Sequence, residues 1–250
     1  MTHAPSTSTP TSSAIALVTG ANKGIGLEVA RQLAQHGHTV LIGARDAARG
    51  EQAAETLRAE GLDARFLPLD VTDDASVAAA ASTVKAQFGR LDVLVNNAGV
   101  QLDDLPPSRV SGAVLRQTFD LNVFGVVSVT QAMLPLLRLS GAGRIVNMGS
   151  ALGSLTLTSD PQNMRSGYWL LAYAASKAAL NAVTVQFANE LRGENILVNA
   201  ADPGYVATDL TGQQGFNSVQ DGALPAVRLA TLPADGPTAG FYNIEGQVPW

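Results

Sequence analysis

Short apolar runs rich in β-branched residues alternate along this chain with longer segments in which apolar residues recur at helical spacing. Ile25, Val29 and Leu33, for example, follow the first run at intervals that place them on one helix face. Runs that are apolar at every position are buried on both faces, so the alternation predicts a mostly parallel sheet between two layers of helices. The seven predicted strands are Ile15–Thr19, Thr39–Ala44, Arg65–Leu69, Leu91–Asn96, Arg144–Met148, Ile196–Ala201 and a weaker Gly240–Asn243.

The length and apolar content fit one large domain. The chain has 250 residues, 46% of them hydrophobic, which is enough for a sizeable core, and no linker interrupts the pattern. Residues 14–250 are therefore predicted to form a single α/β domain. Residues 1–13 are rich in Thr, Ser and Pro and are predicted to form a disordered tail.

The composition excludes several classes of function. With no Cys, the chain cannot form disulfides or thiolate zinc sites, and its three His are too few for a histidine-rich metal centre. A net charge of −5 argues against a nucleic-acid surface, which needs clustered Lys and Arg. The start of the chain does not resemble a signal peptide, and no apolar run approaches the ~18–20 residues of a membrane helix. We therefore expect a cytoplasmic protein without metal, nucleic-acid or membrane partners.

Three irregular segments follow the carboxyl ends of predicted strands: Gln101–Gly112, Leu152–Leu171 and Tyr205–Gly222. Open α/β sheets bind ligands at that edge, so we expect these segments to form the walls of a pocket. The walls are largely apolar and no spare Arg or Lys is aimed at a carboxylate, which indicates an uncharged small-molecule substrate. The candidate wall residues are Val100, Leu152, Tyr168, Trp169, Tyr205 and Phe216.

The first predicted strand runs into the glycine-rich segment Thr19–Gly26 and then into a helix. Glycines at this place let the chain turn sharply and let a pyrophosphate approach the free N–H groups at the helix start. A tight strand-to-helix loop without a ligand is the alternative. Three residues separate Gly20 from Gly24, unlike the plain G-x-G-x-x-G dinucleotide motif.

Further motifs follow in order along nearly the whole chain. They are Leu69-Asp70-Val71, Asn96-Asn97-Ala98-Gly99, Asn122 within Phe119–Val123, Ser150 after the fifth strand, Tyr173-Ala174-Ala175-Ser176-Lys177, and the Pro-Gly segment Asp202–Thr208. Together with Thr19–Gly26, this set resembles the short-chain dehydrogenase/reductase family. The resemblance implies a doubly wound Rossmann-type domain that binds a nicotinamide dinucleotide.

The resemblance also implies a role for each motif at the cofactor. The glycine turn would cradle the pyrophosphate, Asp70 and Val71 would contact the adenine, and the Pro-Gly segment would embrace the nicotinamide. The implied cofactor-binding residues are Gly20, Asn22, Lys23, Gly24, Ile25, Gly26, Arg45, Asp70, Val71, Asn97, Ala98, Gly99, Tyr173, Lys177, Pro203, Gly204, Val206 and Thr208.

Tyr173 and Lys177 are four residues apart, so on a helix they share one face and can act on one ligand. A phenol with a free pKa near ~10 donates a proton most efficiently when a nearby ammonium lowers that pKa. The family resemblance adds a bond from Lys177 to the nicotinamide ribose, a bond from Ser150 to the carbonyl oxygen, and a water held by Asn122. A turn or cap role for Ser150 and a backbone-bonding role for Asn122 are the alternatives.

The interval between Ser150 and Tyr173 is longer than is usual in the family, and Leu155–Leu171 is the surplus. This insertion resembles the carbonyl reductase branch, as do Gly20–Gly24 and the ending Gly246–Trp250. We expect the insertion to form a flap beside the pocket and to cover a face that other members use for assembly. A monomer or homodimer is therefore predicted rather than a tetramer.

The end of the second strand predicts which nicotinamide is used. Ala44 stands where NAD-dependent relatives carry an acid, and Arg45 follows, whose planar fork suits a phosphate. Lys23 is expected to approach the same 2′-phosphate from the glycine turn, so NADP(H) is the predicted cofactor. The alternative is that Arg45 is a solvated residue at a helix start and that Asp46 caps the next helix.

These observations predict an NADPH-dependent enzyme that reduces an uncharged, largely apolar ketone or aldehyde. One alternative is a cofactor-sensing binding protein of the same fold, although Ser150, Tyr173 and Lys177 are all present. A related isomerase or dehydratase without net cofactor turnover is another. A serine hydrolase is excluded, because the sequence has no G-x-S-x-G nucleophile elbow.

Overall fold

Seven strands form one sheet in the computed structural model, which describes residues 13–250. The order across the sheet is β3-β2-β1-β4-β5-β6-β7 and every neighbouring pair is parallel, which confirms the predicted fold class. The predicted tail lies outside the described residues except for Ser13. The strands are β1 (Ile15–Thr19), β2 (Thr39–Ala44), β3 (Ala64–Pro68), β4 (Val93–Asn96), β5 (Gly143–Met148), β6 (Ile196–Ala201) and β7 (Phe241–Tyr242).

Helices cover both faces of this sheet. Alternate residues of the central strand β1 point to opposite faces and therefore belong to different apolar clusters. Ala16 and Val18 pack with one helical layer, whereas Leu17 packs with the other. The first layer contains α1 (Gly24–Gln35), α2 (Ala47–Ala59) and α8 (Val219–Ala230). The second layer contains α3 (Asp74–Phe88), α5 (Gly125–Leu137) and α7 (Leu171–Glu190).

Two shorter helices complete the described structure, α4 (Gly112–Phe119) and α6 (Leu155–Thr158). Helix α6 begins the predicted insertion, which continues through a 3-10 turn at Met164–Gly167. The backbone N–H of Thr156 donates to the carbonyl of Trp250 at 3.1 Å, so the insertion contacts the end of the chain. Whether the insertion disfavours a tetramer stays a prediction.

Helices α4 and α5 are joined by a π-helical turn, Asp120–Phe124, into one continuous helix. This helix, Gly112–Leu137, is long and apolar enough to cross a membrane by length and composition. Polar residues interrupt its apolar sequence, among them Arg116, Asp120 and Asn122, as the sequence predicts for every such candidate. In addition, 56% of its apolar window is buried inside the protein, as in a helix that packs on a sheet.

A chain of buried polar side chains links the ends of β4 and β5 to the helices behind them. The Nδ2 of Asn96 donates to Thr130 Oγ1 at 3.0 Å and to Asn147 Oδ1 at 2.9 Å. The Nδ2 of Asn147 in turn donates to Thr184 Oγ1 of α7 at 2.9 Å. Such groups must find partners when buried, so the network fixes α7 against the carboxyl edge of the sheet.

We predict that Asn147→Ala lowers the free energy of unfolding by about 1–3 kcal/mol, because it leaves the buried amide of Asn96 short of an acceptor. Urea denaturation followed by circular dichroism measures the change. The matched control is Asn189→Ala at an exposed position of α7, for which we expect a change within about 0.5 kcal/mol. Equal effects of the two substitutions would contradict a stabilising network.

Candidate active site

A cavity of about 770 Å³ lies at the carboxyl edge of the sheet, where the strand order reverses between β1 and β4. The glycine turn, the ends of several strands and the first turns of α7 contribute to its walls. Most of the predicted cofactor residues line it together; Gly204 and Val206 do not. Those that do are Gly20, Asn22, Lys23, Gly24, Ile25, Gly26, Arg45, Asp70, Val71, Asn97, Ala98, Gly99, Tyr173, Lys177, Pro203 and Thr208.

The glycine turn is packed against the end of β4. Gly20 has a φ of +64°, and a Cβ at this position would lie 2.9 Å from the Cα of Ala98. A Cβ on Gly26 would collide with the side-chain amide of Asn97, which donates to the carbonyl of Thr19 at 2.8 Å. Lys23 provides no side-chain cap to α1, so the first N–H groups of this helix stay open to an anionic ligand.

Two cations flank this end of the cavity, but they are held differently. The Nζ of Lys23, in the glycine turn, forms an ion pair at 2.6 Å with Oδ2 of Asp209, which also lines the cavity. Whether Lys23 approaches a 2′-phosphate of the cofactor stays a prediction. Arg45 lies near Asp70, where it contributes to lowering the pKa of that carboxyl, after the larger effect of the hydrogen bonds from Thr72.

Asp46 caps the helix that follows Arg45. Its Oδ1 accepts a hydrogen bond from the backbone N–H of Arg49 at 3.0 Å. The side chain is therefore engaged at the start of α2, as the cap alternative predicts.

Tyr173 and Lys177 lie in the first two turns of α7, and both line the cavity. The Nζ of Lys177 is 5.5 Å from the centroid of the Tyr173 ring and donates to the carbonyl of Met148 at 2.7 Å. Ser150 follows β5, and its Oγ accepts from the backbone N–H of Leu152 at 3.2 Å. Ser150 therefore acts as a turn cap, and it is also a hydrogen-bonding neighbour of the Tyr173 phenol.

Burial dominates the ionisation of this pair. It raises the pKa of Tyr173 to about 12, although the hydrogen bond with Ser150 opposes the shift. It lowers the pKa of Lys177 to about 8, against the attraction of Asp202. The raised pKa of Tyr173 runs opposite to the expectation that the ammonium brings the phenol towards neutrality, because desolvation disfavours the charged form of each group.

Asn122 lies in the π-helical turn and is buried. Its amide donates to the carbonyl of Val100 at 2.9 Å and to Ser176 Oγ at 3.0 Å, and its Oδ1 accepts from the N–H of Val100 at 2.8 Å. The backbone-bonding alternative therefore describes these contacts, which join the loop after β4 to α7. A role for Asn122 in holding a water stays a prediction.

Of the six predicted wall residues, only Val100 lines the cavity. Tyr205 and Phe216 contact each other edge to face, with centroids 5.7 Å apart. Tyr168 and Trp169 are exposed on the insertion, and Leu152 lies in the turn after Ser150. A substrate pocket built from these five residues stays a prediction.

No role is predicted from the sequence for two buried carboxylates near the site, Asp103 and Asp202, although Asp202 begins the Pro-Gly segment. Asp202 is 4% exposed at the end of β6, and its Oδ1 accepts from the N–H of Gly204 at 3.1 Å. Burial raises its pKa, while the N–H groups of Gly204 and Ala151 and the charges of Arg165 and Lys177 oppose the shift. Its place directly after a buried strand, at the start of the Pro-Gly segment, is the signal that could have identified it.

The raised pKa of Asp202 has a consequence for stability. A carboxyl whose pKa is higher in the folded state binds more protons there, so it makes unfolding easier as pH rises above the ordinary value of 3.8. We predict that Asp202→Asn gains stability relative to the wild type between pH 4 and pH 7, measured as the difference in melting temperature. Asp235→Asn, at an exposed position, controls for the loss of one charge. A difference that stays constant or shrinks over this pH range would contradict the assignment.

Within residues 13–250, no group of three or more His, Asp or Glu side chains is placed to hold a metal ion.

Comparison with known proteins places these features in a family. The profile of the short chain dehydrogenase family matches residues 14–217. A carbonyl reductase [NADPH] 1 from Sus scrofa is 35% identical over 276 residues, covering 94% of each chain. A (+)-neomenthol dehydrogenase from Arabidopsis thaliana is 35% identical over 287 residues, covering 93% of this chain and 96% of the relative.

A solved structure agrees with these sequence matches. The NADPH-bound carbonyl reductase from chicken fatty liver superposes with a TM-score of 0.84 at 28% identity, covering 95% of this chain and 99% of that one. The shared architecture includes the full seven-stranded sheet and its helices.

Proposed function

Because this chain belongs to the short chain dehydrogenase family of oxidoreductases, we propose that it reduces an uncharged, largely apolar ketone or aldehyde with NADPH. The observation that carries the proposal is the shared cavity: Tyr173 and Lys177 line the same space as the glycine turn. A dinucleotide cradled at the turn would therefore extend towards a proton donor. The relatives named above for carbonyl reduction support the same reaction class.

The residues of the cavity fit a dinucleotide. The close approach of Gly20 to Ala98 and the uncapped start of α1 leave backbone N–H groups for a pyrophosphate. Asp70 and Val71 would hold the adenine end, and Pro203 and Thr208 would hold the nicotinamide end. When bound, the nicotinamide supplies the hydride for the carbonyl carbon.

In this reaction Tyr173 donates a proton to the carbonyl oxygen as negative charge develops there. Its pKa of about 12 keeps the phenol protonated at neutral pH, which is the form that reduction requires. The Ser150 hydroxyl donates a hydrogen bond to the same oxygen. Lys177 stabilises the phenolate that remains, since its ammonium lies close to the ring.

We predict that Tyr173→Phe lowers the turnover number by about 10²–10⁴-fold, because the general acid is lost. Loss of NADPH absorbance with an aromatic aldehyde measures turnover, and quenching of protein fluorescence measures NADPH affinity, which should be nearly unchanged. Tyr242→Phe, at a half-buried tyrosine of β7 that does not line the cavity, is the matched control and should retain wild-type turnover. If Tyr173→Phe kept more than about a tenth of wild-type turnover, Tyr173 would not be the acid.

The same assay separates the alternatives. A cofactor-sensing binding protein would bind NADPH without oxidising it. A related isomerase or dehydratase would convert its substrate without net consumption of NADPH. Steady oxidation of NADPH by the wild type, lost in Tyr173→Phe, excludes both.

We assign the preference for NADPH over NADH to Arg45 together with Lys23, which would both approach the 2′-phosphate at this end of the cavity. The repelling carboxylate of NAD-dependent relatives is absent, because Ala44 stands at the end of β2. Charge-assisted bonds are worth about 1.5–3 kcal/mol each, so we predict a preference of about 2–4 kcal/mol in the wild type. Arg45→Ala should remove much of it. The measurement is the ratio of kcat/KM for the two cofactors.

Arg192→Ala, at an exposed arginine beyond the end of α7, is the control for the loss of one positive charge. It should leave the ratio unchanged. Equal efficiencies with NADPH and NADH in the wild type would overturn the assignment.

A further inference from the structure

The loop after β4 carries a buried carboxylate that reaches α7. Asp103 is 4% exposed, and its Oδ2 accepts from the backbone N–H of Ala172 at 2.6 Å. Its Oδ1 accepts from the backbone N–H of Tyr173 at 3.2 Å. One side chain therefore engages two successive N–H groups in the first turn of the helix that carries the proposed acid.

This contact replaces the local cap that most helices have. Leu170, at the N-cap position of α7, offers no side-chain hydrogen bond. The first N–H groups of a helix have no partner within it and form its positive end, so a carboxylate suits them. Asp103 meets this need from 69 positions earlier in the chain.

The same loop is tied to α7 on a second side. Asn122 holds both backbone groups of Val100 and also donates to Ser176 Oγ. The Ser176 hydroxyl donates to the carbonyl of Tyr173 at 2.7 Å. Side chains thus bond both backbone groups of Tyr173. Asp103 of the loop accepts from the N–H, and Ser176, which is itself bonded to Asn122, donates to the carbonyl.

We propose that Asp103 is a positioning residue for Tyr173: its carboxylate fixes the first turn of α7 so that the phenol faces the cavity beside Ser150. Asp103 has no contact with the phenol and does not transfer the proton. The proposal rests on the proposed function of Tyr173 as proton donor. Small displacements of a reacting group are costly, so losing this cap should slow the proton step more than it weakens cofactor binding.

The test compares Asp103→Ala and Asp103→Asn with Asp104→Asn. Asp104 is exposed and adjacent, so its variant loses the same charge without losing the cap. With NADPH and an aromatic aldehyde, Asp103→Ala should lower kcat by about 10–100-fold while the NADPH dissociation constant changes less than about twofold. Asp103→Asn retains one acceptor oxygen and should fall between Asp103→Ala and the wild type.

Two further readouts separate positioning from general destabilisation. The solvent isotope effect on kcat should increase in Asp103→Ala, because proton transfer from a displaced phenol becomes slower relative to other steps. Amide hydrogen exchange at Ala172 and Tyr173 should become faster, whereas exchange in the later turns of α7 should not.

An unchanged kcat or solvent isotope effect in Asp103→Ala would overturn the proposal, and so would a parallel loss of NADPH affinity. The proposed function fails separately, if the wild type oxidises no NADPH with any carbonyl compound. The hydrogen-exchange comparison needs no turnover, so in that case it still tests whether Asp103 orders the first turn of α7.

Discussion

The pairing of β1 with β4 is the constraint on which the site depends. Strands β2 and β3 lie in sequence on one side of β1, and β4 pairs with the other side of β1 and is followed there by β5, β6 and β7. The hydroxyl oxygen of Thr19 accepts from the N–H groups of Asn97 and Ala98, both at 3.0 Å, so the two strand ends are joined directly. Helices leave this junction towards opposite faces, and the crevice between them is where a dinucleotide can lie.

Burial then decides the chemistry that this crevice supports. Lys177 is buried and Tyr173 is partly buried in the cavity wall, and this desolvation raises the pKa of the phenol and lowers that of the ammonium. The phenol is therefore protonated at neutral pH, as the proposed role of proton donor requires. Asp202 offsets part of the cost of a charged lysine, and Asp103 and Asn122 hold the turn that carries the phenol.

Much of this arrangement could be predicted from the sequence because it depends on residues that are close together along the chain. Each strand coincides with an apolar run, and the bounds of Ile15–Thr19, Thr39–Ala44 and Ile196–Ala201 are those of the structure. The glycine turn and the Tyr173–Lys177 spacing belong to single elements. What could not be predicted depends on residues far apart in the chain, such as the cap from Asp103 to α7 and the ion pair between Lys23 and Asp209. The pKa of Tyr173 likewise depends on the depth of burial, which spacing alone does not reveal.

Transfer of deuterium tests the central claim most directly, because it follows the hydride from the cofactor to the product. The wild-type protein is incubated with an aromatic aldehyde and NADPH deuterated at the reactive face of nicotinamide carbon 4, and the alcohol is analysed by mass spectrometry and NMR. The account predicts an alcohol that carries one deuterium on the former carbonyl carbon. NADPH that remains unoxidised, or an alcohol without deuterium at that carbon, would contradict it.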